Sequence, residues 1–216
     1  MRNSRDEMRL SVAAALTLLA LAGCGHTAAA PLGPGGSWRI AYDGYGRVSA
    51  ATRHGVVRLT LQPARPMSPA STHAALVLSR NSWHDLTVEV RLRTNRQLRQ
   101  PEPNAWEVGW LLWHYVNDDH FYYVALKPNG WELGKADPRY PGHQRFLATG
   151  TRPAFPPARW YAVRVQQRDD VIQVNVDGRR LVRFVDMQGP FRYGRVGLYV
   201  EDASATFQPV AIDPPQ

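Results

Sequence analysis

Residues 109–123 read Gly-Trp-Leu-Leu-Trp-His-Tyr-Val-Asn-Asp-Asp-His-Phe-Tyr-Tyr, and this stretch decides the fold. Two runs of bulky residues, 106–115 and 121–127, flank the turn-forming residues 117–119, which predicts two adjacent antiparallel strands. Both runs carry bulky side chains at odd and at even positions. Because successive side chains of a strand point to opposite faces, one face lines the core. The other face then lies under a second layer or forms an aromatic groove.

Short apolar runs between turn formers continue along the chain. Helical periodicity is almost absent from residue 37 to residue 212. Asp177-Gly178 is typical of a two-residue hairpin turn, and Pro128-Asn129-Gly130 is also a turn sequence. The pattern therefore predicts an all-β sandwich or barrel. Besides the two strands above, the predicted strands are residues 56–61, 74–79, 86–93, 131–135, 160–167, 171–176, 181–185, 195–200 and 205–212.

Three blocks of the sequence resemble one known family. After residues 109–123, a Trp leads an alternating strand and an Asp-Gly hairpin at 160–178, and a Gly-x-x-Gly-Leu strand followed by Phe occupies 194–207. These blocks are similar, in this order, to those of concanavalin A-like (laminin-G-like) jelly rolls. The bacterial type that they resemble most is the 3-keto-disaccharide hydrolase-like domain. Over residues 38–212 the resemblance implies a two-sheet antiparallel jelly-roll sandwich, a fold that hosts glycan-binding modules, glycan-cleaving enzymes and adhesion domains.

The aromatic residues of the first block suggest a candidate glycan-binding groove. Sugar rings stack their apolar faces on Trp and Tyr, while polar neighbours bond to the hydroxyls. Strand parity places Trp106, Trp110 and His114 on one face, with Trp113 and Tyr115 on the other. The family sets a polar residue at the position of His114 on its concave sheet, so the resemblance implies that the first three residues line the groove. The remaining candidates are Tyr123, Lys127, Glu132 and Lys135. The alternative is that these aromatic residues belong to the core.

Catalytic patterns known for this fold are absent from the sequence. Retaining glycosidases need two carboxylates about 5 Å apart, which jelly-roll glucanases take from a Glu-x-Asp-x-x-Glu run. None of the Glu residues after residue 23 has a carboxylate two positions on, and the Gln-x-His strand of jelly-roll lyases is missing. No catalytic residue is assigned. The sequence favours glycan recognition without catalysis, and the alternatives are a glycoside-cleaving enzyme of the 3-keto-disaccharide hydrolase type and a structural protein-interaction domain.

No cofactor or metal site is assigned from the sequence. Many relatives hold a structural calcium ion with carboxylate and carbonyl oxygens. Asp118, Asp119, Asp202 and Asp213 are available for such an ion, but no spacing selects them. A structural calcium ion therefore stays open.

The N-terminal segment has the features of an export signal. Residues 1–9 hold three Arg against two acidic residues, and an apolar run follows to residue 23. This run is shorter than the about twenty residues of a membrane span and suits a signal peptide. It ends in Leu21-Ala22-Gly23-Cys24, which resembles the lipobox of bacterial lipoproteins. The resemblance implies cleavage before Cys24, a diacylglycerol on its thiol, and a protein anchored to the cell membrane or outer membrane on its periplasmic or extracellular side.

The rest of the chain is expected to form one domain on a tether. Residues 24–36 comprise the lipidated Cys and an Ala-, Pro- and Gly-rich segment, which predicts a flexible tether. Residues 37–212 are the predicted jelly roll, and residues 213–216 are a tail. Cys24 is the only Cys in the chain, so the domain has no disulfide and depends on its core for stability.

The chain is basic, with a formal net charge of +8 at pH 7. Outside the cytosol, such a charge suits anionic glycans, phospholipid headgroups or a basic surface without a specific partner, and nucleic acid is not expected. The sequence names no protein partner.

The lipid anchor is tested by Cys24→Ala. We expect the natural protein to fractionate as a lipid-modified, detergent-soluble membrane protein, because two acyl chains hold a protein stably where one is marginal. The variant should be unprocessed or released, whereas Thr27→Ala should be processed normally. Mass spectrometry of the N-terminus measures this, and a free, unacylated N-terminus on protein from native membranes would contradict the expectation.

Overall fold

A computed structural model describes residues 32–33 and 36–213. Cys24 and the predicted signal segment lie outside the described residues. Within them, no helix is long and apolar enough to cross a membrane.

Fourteen β-strands make up most of the described chain. The first seven are β1 (Trp38–Tyr42), β2 (Arg47–Arg53), β3 (Val56–Gln62), β4 (Ala74–Trp83), β5 (Leu86–Gln97), β6 (Gly109–Asn117) and β7 (His120–Lys127). The other seven are β8 (Gly130–Ala136), β9 (Gln144–Gly150), β10 (Tyr161–Arg168), β11 (Val171–Val176), β12 (Arg179–Val185), β13 (Gly194–Glu201) and β14 (Ala203–Asp213). Every predicted strand is present, whereas β1, β2 and β9 were not predicted.

The strands form two seven-stranded antiparallel sheets. Sheet I has the order β1-β4-β13-β6-β7-β8-β9, and sheet II has the order β12-β11-β10-β5-β14-β3-β2. The predicted two-sheet antiparallel sandwich is confirmed.

Alternate side chains of both sheets meet in a core between them. Ile172, Val174 and Val176 point inward from sheet II, and Leu111 and Trp113 point inward from sheet I. Each such side chain stabilises the fold by about 1.5–3 kcal/mol on burial. A second buried cluster contains only residues of sheet I and the segment just before β6, so it lies on the outer face of this sheet.

Strand β6 changes parity at His114, which corrects two predicted placements. His114 has φ +49°, and the register between β6 and β7 shifts after Trp113. Trp113 lies in the core as predicted, but Tyr115 reaches the outer face. His114 is buried away from that face, with Nδ1 2.8 Å from the carbonyl oxygen of Phe191 and Nε2 2.5 Å from that of His84. His114 therefore does not line a groove on the outer face.

Lys135 also lies on the opposite face from the one predicted. It is three positions after Glu132 on β8, and an odd separation places two side chains on opposite faces. Its Nζ lies 2.8 Å from Oδ2 of the buried Asp186 and donates to the carbonyl oxygens of Gln188 and Gly189, at 3.0 and 3.1 Å. Lys135 thus holds the segment after β12 against sheet I.

The hairpin between β11 and β12 gives a test of the backbone. Asp177 and Gly178 have φ +49° and +77°, as the predicted two-residue turn requires. Gly178→Val should lower the free energy of unfolding by about 1–2 kcal/mol, because a β-branched residue is strained in this region. A Cβ at position 178 would meet nothing within 4 Å, so the loss comes from the backbone alone.

Gly178→Asn is the matched control, because Asn tolerates positive φ. Urea denaturation of the three proteins measures the difference. Equal stability of the Val and Asn variants would contradict the assignment of strain to this turn.

Candidate functional site

Aromatic side chains gather on the outer face of sheet I. We call this surface the aromatic face and define it by eight residues: Tyr42, Trp106, Trp110, Tyr115, Phe121, Tyr123, Phe146 and Tyr199. Seven of them lie in or against the second buried cluster. Phe146 belongs to the same face because paired residues of neighbouring strands point to the same side of a sheet. Its partner is Gly134, and a Cβ built there would point at the ring of Tyr123.

The strand register aligns the outer residues in transverse rows. One row crosses all seven strands of sheet I, and each of its residues pairs with the next. From the β1 edge, its residues are Tyr42, Leu76, Tyr199, Trp110, Ala125, Glu132 and Thr149. The next row begins at Arg39 and includes Leu112, Tyr123, Gly134 and Phe146. Neighbouring strands are about 4.8 Å apart, so each row spans roughly 29 Å.

Trp110 lies at the centre of the aromatic face but is covered by its neighbours. Its ring stacks on Tyr123 at 4.6 Å and meets Tyr199 edge-on at 5.4 Å. Its Nε1 donates to the carbonyl oxygen of Trp106 at 2.8 Å. Only 8% of Trp110 is exposed. Its indole therefore forms the floor of the face rather than the open stacking platform that the sequence suggested.

Tyr123 lies across β8 because Gly134 leaves room for its ring. A Cβ at Gly134 would be 2.4 Å from the Tyr123 hydroxyl. That hydroxyl donates to Glu132 Oε1 at 2.6 Å and accepts from Gln144 Nε2 at 2.5 Å. Burial raises the pKa of Tyr123, which keeps the hydroxyl protonated as the donor to Glu132. Lys127 holds the other oxygen of Glu132 at 2.8 Å.

The accessible part of the face runs from β9 towards β6. Phe146 is 41% exposed, and Phe121 and Tyr115 are half-buried, with their rings stacked at 5.8 Å. Arg39 and Arg195 lie beside Tyr115. Neither arginine has a carboxylate within 4.0 Å among the described residues. Burial and the charge of Arg195 lower the pKa of Arg39. We call Phe146, Phe121 and Tyr115 the accessible strip. Within the described part of the chain, the two arginines at its β6 end have no carboxylate partner.

One end of the aromatic face is closed by a network around Arg99. Its guanidinium binds Glu107 and Asp202, each at 2.5 Å, and donates to the carbonyl oxygens of Pro69 and Ser71. The network ties the β3–β4 connection to the segment before β6. Arg99 is thus structural in this fold.

Glu201 is a buried carboxyl at this same end. Its Oε2 accepts from the Tyr199 hydroxyl at 3.0 Å. Burial raises the pKa of Glu201 to about 7, and the negative charges of Asp202 and Glu107 add to the rise. The residue therefore titrates near neutral pH.

The residues predicted for the groove separate into two groups. The outer side of sheet I brings together Trp106, Trp110, Tyr123, Lys127 and Glu132. His114 and Lys135 are turned away, as described above. Sequence reasoning missed Tyr42, Phe121, Phe146, Tyr199, Gln144, Arg39 and Arg195. Tyr199 could have been predicted, because the residues of β13 alternate strictly between the two faces. Arg39 and Phe146 were missed because they lie on strands that were not predicted.

Three of the four aspartates considered for calcium, Asp118, Asp119 and Asp202, have other partners, and Asp119 pairs with Nδ1 of His143 at 2.9 Å. Asp202 binds Arg99 and the backbone N–H of His73, and Asp118 accepts from the Tyr115 hydroxyl at 2.8 Å. The described residues contain no group of three or more His, Cys, Asp or Glu that could hold a metal ion.

Glu132 and Glu201, two glutamates of the aromatic face, do not form a catalytic pair with each other. Glu132 lies on β8 and Glu201 on β13, with β6 and β7 between them. Three strand spacings separate their backbones by about 14 Å, whereas glycosidase carboxyls are about 5–9.5 Å apart. Each carboxyl is instead bonded to its own tyrosine. The arrangement can stack and hydrogen-bond a ligand, and Glu132 and Glu201 are too far apart to act together as the two carboxyls of a glycosidase.

Comparison with known proteins identifies the fold. No protein-family model and no curated protein sequence matches the chain. The chain is similar to the carbohydrate-binding module CBM66 from Bacillus subtilis, with 18% identity and a TM-score of 0.59 over 82% of this chain and 95% of that chain. It is also similar to a prokaryotic β-1,3-1,4-glucanase (lichenase) derived from a mouse hindgut metagenome, with 15% identity and a TM-score of 0.56 over 82% and 93%.

A native glycosidic hydrolase gives 11% identity and a TM-score of 0.54 over 83% of this chain and 90% of that chain. At these identities the likeness concerns the fold alone. The concanavalin A-like sandwich expected from the three sequence blocks is confirmed.

Stability should depend on pH through Glu201. With a pKa of about 7 against an ordinary 4.5, the folded state keeps a proton that the unfolded chain releases. The stabilisation is therefore complete below about pH 4.5 and is lost as the pH rises to about 7. Glu201→Gln, which stays uncharged, should flatten this decline and exceed the natural protein in stability above pH 7, by up to about 3 kcal/mol.

Urea denaturation between pH 4 and pH 8 measures this slope, and Glu89→Gln on sheet II should leave it unchanged. The same slope in Glu201→Gln and in the natural protein would show that the carboxyl titrates normally.

Proposed function

We propose that this protein is an exported, lipid-anchored envelope protein that recognises a glycan on its aromatic face without cleaving it. The observation that carries the proposal is the cluster of aromatic rings on the outer face of sheet I, in which Phe146 is the most exposed ring. Contiguous apolar surface rimmed by polar residues marks interaction sites. The buried rings serve the fold, whereas Phe146 remains open to a ligand.

The chemistry of the accessible strip fits a sugar chain. The C–H face of a sugar can stack on Phe146, with Gln144 on the same strand as a donor for its hydroxyl groups. Arg195 and Arg39, four and six strands away from β9, would bond hydroxyl or carboxylate groups further along the sugar chain. Gly134 pairs with Phe146, and the ring of Tyr123 fills the space that a side chain at position 134 would take. A carbohydrate-binding module and a glucanase share the fold, which supports a carbohydrate as the class of ligand.

Glycoside cleavage is the second candidate, and Glu201 is the observation that favours it. A carboxyl that titrates near pH 7 has the property of a general acid. However, Glu201 is buried and bonded to Tyr199, and the neighbouring carboxyls of Glu107 and Asp202 are both bound by Arg99. Recognition therefore has the stronger support. Membership of the 3-keto-disaccharide hydrolase type remains a proposal that rests on the sequence blocks.

A glycan-array screen of the purified protein, followed by calorimetry with a ligand found on the array, tests the proposal. Phe146→Ala should weaken that ligand about tenfold, because an aromatic contact of this kind contributes about 0.5–1.5 kcal/mol. Its melting temperature should stay unchanged because the ring is already exposed.

Tyr45→Ala is the matched control, since Tyr45 is 73% exposed on the β1–β2 connection, at the opposite edge of sheet I from β9. It should keep full affinity. No bound glycan, or equal losses in both variants, would overturn recognition by the aromatic face. Release of reducing sugar from a bound glycan would instead favour the enzyme.

A further inference from the structure

The outer face of sheet II is rich in arginine. The inward positions of its strands hold core residues such as Leu59, Val163 and Val174, so the alternate positions face outward. Five of the outward arginines lie on four strands of the sheet: Arg58 on β3, Arg91 and Arg93 on β5, Arg164 on β10 and Arg183 on β12. We call these five the arginine face.

The positive charge of the arginine face is largely uncompensated. Glu89 pairs with Arg164, whose Nε lies 2.8 Å from its Oε1. For the other four arginines, no carboxylate lies within 4.0 Å in the described part of the chain. The buried Nε of Arg93 has no hydrogen-bond partner. Like charges on adjacent strands repel one another, and a bound anion would relieve this repulsion.

One large aromatic ring lies among the arginines of this face. Trp160 is half-buried, with the guanidinium carbons of Arg58 and Arg91 at 6.0 and 5.6 Å from its ring. An open, shallow depression of about 230 Å³ lies beside it, and the 57% exposed Val210 is at its edge. Such a surface suits a planar partner better than a narrow chain. In membrane proteins, Trp side chains are enriched at the depth of the lipid headgroups.

The chain enters the domain close to this sheet. Leu32 bridges to Trp38 on β1 of sheet I, and a Cβ at Gly33 would lie 3.6 Å from the side chain of Trp38 and 3.7 Å from that of Val57 on β3, so the chain enters beside both sheets. Eight peptide steps connect Leu32 to Cys24, which is a reach of at most about 28 Å. If Cys24 carries the proposed lipid, sheet II is close enough to touch the surface in which that lipid is inserted.

We propose that the arginine face binds the phosphate groups of an anionic phospholipid surface, and that Trp160 sits at the headgroup level. One guanidinium group can donate two parallel hydrogen bonds to two oxygens of one phosphate. A basic patch also strengthens the membrane binding of a protein that carries a lipid anchor. Glycan recognition on sheet I does not depend on this contact. The proposed orientation would turn the aromatic face away from the membrane, because the two faces lie on opposite sides of the sandwich.

Oxidation of Trp160 by hydroxyl radicals, followed by mass spectrometry, tests the proposal. The mature protein is mixed with vesicles of phosphatidylcholine alone or with roughly one-third phosphatidylglycerol. We expect Trp160 oxidation to fall at least about threefold with the anionic vesicles only, and to recover at about 0.5 M salt. An acyl chain would bind the protein to both vesicles, so the difference between them reports the arginine face.

Matched double variants separate the two faces of the sandwich. Arg58→Gln with Arg91→Gln should abolish the protection of Trp160, whereas Arg39→Gln with Arg195→Gln on sheet I should keep it. Equal oxidation in both kinds of vesicle would overturn the proposal. Equal protection by free polygalacturonate would also overturn it, and would indicate an acidic polysaccharide as the partner. Glycan binding by the same variants, measured separately, shows whether the aromatic face still functions.

Discussion

The packing of sheet I against sheet II removes one face of every strand from solvent. Alternation then leaves the other face to carry whatever the molecule presents. In sheet I these outward positions hold rings such as Trp110 and Phe146, and in sheet II they hold arginines such as Arg91. The two outer faces therefore differ in chemistry although both sheets share one core.

The aromatic face further depends on the break in alternation at His114. A Cβ at Gly194 would lie 2.3 Å from the backbone of His114, so β13 can pass this point only with glycine. The left-handed residue turns Tyr115 outward, where its ring stacks on Phe121. With regular alternation, Tyr115 would point inward and the strip between Arg195 and Phe121 would lack its ring.

The fold could be predicted from sequence because its signals are local. The apolar runs, the Asp177-Gly178 turn and the family blocks each act over a few residues. Two of the three strands that escaped prediction have weak signals, since β2 is Arg-Val-Ser-Ala-Ala-Thr-Arg and β9 contains only two bulky apolar residues. Neither composition nor alternation distinguishes such segments from loops. The third, β1, reads Trp-Arg-Ile-Ala-Tyr, and its alternation was readable.

The candidate site could be predicted only in part because it depends on non-local geometry. The placement of Trp110 on the outer face followed from parity, but its burial under Tyr123 and Tyr199 depends on pairings between distant strands. The bulge at His114 has no sequence signal beyond a histidine in an apolar run. Lys135 shows the opposite case, since its parity relative to Glu132 was readable and places it inward.

The central claim is that a sugar stacks on the accessible strip of the aromatic face. Isotope-edited nuclear Overhauser spectra of the complex with a bound oligosaccharide test it most directly, because they report contacts between ring protons and sugar C–H groups. The account predicts cross-peaks from the sugar to Phe146 and Phe121. Cross-peaks to Trp160, with none to these two rings, would place the ligand on sheet II and contradict it.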